Sequence, residues 1–101
     1  MKLVIVTAVE EFHKEIIQLF KKANIESFSE SEIDGYKQSD SNLSVSNWFS
    51  SIKESAESSM FFSFTEDEKI DVLFNLIEAF NKNVETNNPI KAVVIPIEKY
   101  I

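Results

Sequence analysis

The chain has 101 residues, with 17 acids against 10 basic residues and a formal net charge of −7. That sign opposes binding to nucleic acid or to an anionic membrane, and every basic residue is Lys, so no guanidinium clamp for phosphate is present. There is no Cys and only one His, His13, which removes disulfides, thiolate metal sites, a cysteine nucleophile and paired-histidine chemistry.

The length suits a single domain over residues 1–101, and 44% hydrophobic with 27% charged residues is a globular balance. The apolar run near the start covers residues 3–6. It is too short for a signal-peptide core or a membrane span, so the expectation is a soluble, cytoplasmic protein.

Residues 2–7 (KLVIVT) are apolar and β-branched, which predicts a strand buried on both faces. Thr7-Ala8-Val9-Glu10 fits a capping box and predicts a helix start. Val9, Phe12, Ile16, Leu19, Phe20 and Ala23 then fall at helical spacing on one stripe, and Asn24 suits the stop. Residues 25–37 predict a second strand, which reaches Gly35 near its end.

Residues 38–59 hold nine serines and are far longer than a hairpin turn needs, so they read as an inserted loop. Trp48, Phe49 and Ile52 lie within it at spacing that permits a helical turn. Residues 60–65 (MFFSFT) predict a third strand. Thr65-Glu66-Asp67-Glu68 fits a second capping box, with acids where the helix dipole favours them. Ile70, Leu73, Phe74, Ile77, Phe80 and Val84 form the second helical stripe. Asn87-Asn88-Pro89 introduces a fourth strand over 90–97, and Pro96 suits an edge because it has no N–H to donate.

The order is strand, helix, strand, twice over. Two such units interleaved in one antiparallel sheet, with both helices on one face, give the ferredoxin-like α+β sandwich. One helical layer leaves the other sheet face bare. Leu3, Ile5, Phe61 and Ser63 are expected on that face, to be buried by self-assembly.

Chemistry-bearing residues are few. Glu66, Asp67, Glu68 and Asp71 read as dipole-complementing acids at a helix start rather than as a hard-metal site. Glu26, Glu30, Glu32 and Asp34 alternate along the second strand and read as a solvated acidic face. A metal there needs carboxylates from neighbouring chains. His13, off the helical stripe, reads as a surface residue. No nucleophile, base and oxyanion donor come together, and the single Gly35 cannot form a phosphate cradle, so the expectation is a non-enzyme without a cofactor.

Ser31-Glu32-Ile33-Asp34-Gly35-Tyr36 resembles the base of the T-loop in the PII signalling family, the trimeric ferredoxin-like nitrogen regulators. The opening strand, the helix ending in Ala23-Asn24, the long segment 38–59 and the later elements stand in family order. The chain departs from the family where nucleotide binds. No Gly-rich loop precedes the second helix, no C-terminal Arg exists, Gln38 lies one residue closer to the Gly than usual, and no Tyr lies within 38–59. The resemblance implies a homotrimeric regulator that lacks the ATP/2-oxoglutarate switch. It implies action through the loop on a protein partner such as a transporter, or on a small ligand, with Tyr36, Gln38, Trp48 and Phe49 as the contact residues. The alternative is a divalent-metal-binding protein resembling the CutA family, which shares fold and trimer. A third reading, a small enzyme of the dimeric α+β barrel type, needs an ionisable pocket between helices and sheet, where the stripes predict a dry one.

Overall fold

A computed structural model describes residues 1–36 and 55–101, apart from the side chains of 55 and 56. Four strands and two helices follow in the expected order: β1 (Lys2–Val9), α1 (His13–Lys22), β2 (Ser29–Tyr36), β3 (Ser55–Thr65), α2 (Asp67–Asn83) and β4 (Lys91–Pro96). The strands form one sheet in the order β2-β3-β1-β4, with every neighbouring pair antiparallel. The two most apolar strands are therefore central, and Pro96 lies on an edge strand opposite Lys2. This is the ferredoxin-like sandwich.

The strand period of two divides the sheet into two unlike faces. Val4, Val6 and Ala8 of β1 point to the helices, as do Ser59, Phe61 and Ser63 opposite them on β3. The helices close this side with Phe12, Ile16, Leu19 and Phe20 from the first unit and Ile70, Leu73 and Ile77 from the second. Phe61 is fully buried beneath Phe20 and Phe28, and Phe12 meets Phe80 edge-on at 5.3 Å, which ties the start of α1 to α2.

Leu3, Ile5, Met60, Phe62, Phe64, Val93 and Ile95 project to the opposite face, where no helix lies among the described residues. Phe64 is 57% exposed there. The bare face is thus real, but its membership differs from expectation. Phe61 and Ser63 belong to the helix side, because their register partners are Val6 and Val4. The one-residue shift swaps every β3 side chain to the other face.

Neither capping box forms. β1 continues two residues past Thr7, so that Val9 pairs with Ser58 before a 3-10 turn at Glu10–Phe12 leads into α1. Thr7 therefore stays in the ladder, its Oγ1 buried without a hydrogen-bond partner among the described residues. Thr65 likewise stays opposite Lys2, and Glu66 supplies the extended residue before α2 without a side-chain cap. The acids Asp67 and Glu68 do occupy the first turn of α2, and Lys2 reaches Asp67 at 3.4 Å.

The first helix ends as Asn24 suggested. Asn24 takes the left-handed conformation (φ 62°), its N–H donates to Lys21 O, and Ile25 N–H donates back to Phe20 O at 3.0 Å. These are the two bonds of a Schellman ending, which turns Ile25 into the core. That turn delays the second strand to Ser29. Residues 25–28 pack Ile25 and Phe28 instead of pairing, and Ser63 Oγ donates to Ser27 O at 2.6 Å. Conversely β3 starts at Ser55, five residues earlier than its apolar run, so the segment between β2 and β3 is 37–54.

Candidate functional site

The end of β2, the start of β3 and the 3-10 turn before α1 meet at one corner of the helix side. Glu30, Glu32 and Asp34 share that face of β2, opposite Phe61, Ser59 and Glu57 of β3. Glu26 does not join them, since it precedes the strand. The continued β1 ladder carries Glu10 to the same corner, where Ser59 Oγ donates to Glu10 Oε1 at 3.1 Å. A cleft of about 450 Å³ results, lined by Glu10, Glu32, Ile33, Asp34, Glu57 and Ser58. Its four carboxylates include Asp34 directly opposite Glu57, and none of these lining residues is cationic.

Such a cleft repels phosphate and favours a cation or a neutral polar group. Among the described residues, however, no group of three or more His, Asp or Glu is arranged to hold a metal ion. The acids at the start of α2 are likewise spread along an exposed helix turn.

His13 is more engaged than a surface residue. It is half-buried at the start of α1, its Nε2 lies 2.5 Å from Glu30 Oε2, and its ring tilts against Phe61 at 5.6 Å between centroids. It thereby fastens the helix layer to the edge strand β2. The sequence spacing showed the alternating acids of β2, but not this partner, because the contact spans 17 residues and a helix-to-strand crossing.

Of the sequence-predicted contact residues, Tyr36 ends β2 opposite Ser55 and is 70% exposed. It is the last described residue before segment 37–54. Gln38, Trp48, Phe49 and Ile52 lie outside the described residues. Glu10, Glu57 and Ser58 were missed as cleft residues. The local sequence reads Glu57 and Ser58 as loop and Glu10 as part of a capping box, whereas the sheet brings all three to the cleft.

No family model matches the chain, and no curated protein matches it. A search of solved structures finds a nitrogen regulatory PII-like protein from Thiomonas intermedia, named CPII, bound to ADP, AMP and bicarbonate. The superposition has a TM-score of 0.63 at 10% identity and covers 99% of this chain and 94% of that one. The fold is PII-like. At that identity the likeness extends to the arrangement of elements, and the acidic cleft described above is a feature of this chain's own residues. Among the described residues, no helix is long and apolar enough to cross a membrane.

Proposed function

We propose that this chain is a PII-like regulatory or binding protein, not an enzyme, that assembles as a homotrimer. The observation that carries the reading is the bare apolar sheet face in a PII-like fold. Leu3, Ile5, Phe62, Phe64, Val93 and Ile95 present a contiguous surface of the kind that soluble monomers rarely leave wet. Three sheets turned inward around a threefold axis would bury it. In this reading Tyr36, Gln38, Trp48 and Phe49 would contact a protein partner such as a transporter, or a small ligand.

The small ligand, if the cleft takes one, is not a nucleotide in this reading. CPII is a structure with ADP, AMP and bicarbonate bound. Here the cleft is lined by Glu10, Glu32, Asp34 and Glu57, which repel phosphate, and the chain has no Arg to hold one. Light scattering on a size-exclusion column tests the assembly. The expected mass is three times 11.6 kDa, and a monomer at micromolar concentration would refute the reading.

A further inference from the structure

The two edges of the sheet carry opposite charge. β2 bears Glu30, Glu32 and Asp34 and no cation, whereas β4 opens with Lys91 and has no acid. Neighbouring strands are antiparallel throughout, so the end of β2 and the start of β4 lie at the same end of the sheet. The register fixes the levels. Lys91 pairs with Thr7, Thr7 with Met60 and Met60 with Ser31, so Lys91 stands level with the step between Glu30 and Glu32. Glu30 is already taken by His13. Glu32 is exposed, lines the acidic cleft and has no ion-pair partner among the described residues. Lys91 is likewise exposed and without an ion pair among them.

We propose that Lys91 of one copy pairs with Glu32 of the next, so that the acidic cleft of each subunit is completed by a cation from its neighbour. The inference rests on the ring of sheets proposed above and names the contact that orients it. A ring of sheets in the order β2-β3-β1-β4 sets the β2 edge of one copy beside the β4 edge of the next, and an axis along the strands keeps the levels of the two edges matched. Like edges repel. Two β2 edges would oppose rows of carboxylates, and charge therefore selects the head-to-tail contact over a twofold pair. Burial of the bare face makes the same demand. Lys91 shares that face with Val93 and Ile95, where the paired positions of β1, β3 and β2 bring no acid among the described residues. An ammonium drawn into such a surface without an anion is costly. By level, the first free carboxylate is the neighbour's Glu32, on the other face of its edge strand, and the flexible four-carbon stem of lysine reaches round an edge.

The test is a charge swap on the full-length protein, read as the concentration at which the oligomer half-dissociates in sedimentation velocity. Lys91→Glu and Glu32→Lys should each raise that concentration about tenfold, the scale of three exposed pairs lost around a ring, and more at low salt than at high salt. The double variant, with both charges exchanged, should return to within about threefold of the parent. Lys21→Glu makes the same change of charge at an exposed position on α1 and should leave the midpoint where it was. Both swapped side chains are exposed, and an unchanged far-UV spectrum will show that the variants fold. A trimeric parent with single variants that keep its midpoint would overturn the pairing and leave the trimer standing. So would single variants that weaken assembly without rescue in the double. A monomeric parent would sink the pairing together with the assembly on which it rests.

Discussion

Asn81 grips Ile90 through both ends of its side-chain amide. Its Nδ2 donates to Ile90 O at 3.0 Å, and Ile90 N–H donates to its Oδ1 at 2.9 Å. A helix side chain thus plays the part of a neighbouring strand for the residue just before β4, and it fixes where the edge strand begins. Ile90 is buried, so its backbone groups have no ready substitute in water. Asn81→Ala should lower stability by about 2–3 kcal/mol, from two lost bonds with two polar groups left unpaired. Asn81→Asp should cost a similar amount, because the carboxylate cannot donate to Ile90 O. Urea unfolding followed by circular dichroism measures both, and a loss below about 0.5 kcal/mol in each would show that the clamp holds nothing.

The bare face makes a prediction that separates assembly from folding. Phe64→Asp should leave the far-UV spectrum intact and break the oligomer, since Phe64 is exposed in the single chain. Val72→Asp changes a comparably exposed residue on α2 and should leave the oligomer whole. If both variants keep the parent mass on a light-scattering column, the face is not an interface.

The acidic cleft predicts a silence and a gain. ATP, ADP and AMP should not move the thermal midpoint, and a rise of several degrees would contradict the argument from its carboxylates. Neutralising one of the directly opposed pair should relieve repulsion. Glu57→Gln is expected to stabilise the fold by about 0.2–1 kcal/mol, more at low salt than at high salt. A loss of stability at low salt would mean that Glu57 has a cationic partner after all.

Thr7 offers a test of the ladder itself. Its hydroxyl is buried in the middle of β1 with no partner among the described residues. Thr7→Val removes that hydroxyl at nearly constant shape and introduces a good strand former. Stability should rise by about 1 kcal/mol. The capping-box reading of Thr7-Ala8-Val9-Glu10 predicts the opposite sign, a loss of about 1 kcal/mol, so one denaturation curve separates the two.

The fold was legible wherever apolar periodicity carried it. The stripe from Val9 to Ala23 is buried throughout, and Ile70, Leu73 and Ile77 of the second stripe are buried in turn. Asn24 ended the first helix where expected. What was misread shares one cause, which is that polar residues were assigned by their local habits. Thr7 and Thr65 resemble caps, and Ser58 and Ser59 resemble loop, yet all four sit buried in the central strands because pairing partners far along the chain hold them there. The same cause put Phe61 on the wrong face, since the register of β3 against β1 decides the side and no local pattern encodes it. The cleft was half-visible for this reason. The alternating acids of β2 stood out, whereas Glu10 and Glu57 reach the corner only through the sheet.

The serine-built start of β3 gives the sheet a greasy end and a salty one. From Met60 onward the central ladder is clamped by aromatic rings, but from Ser55 to Ser59 it runs against Glu32, Asp34 and Tyr36 with little apolar weight on the outer strand. Amides at this corner should exchange with solvent sooner than those around Phe61, in the manner of a zipper that opens from one tip. A partner gripping the chain beyond Tyr36 would pull on the tip that yields first, so its grip and the closure of that corner would be one equilibrium.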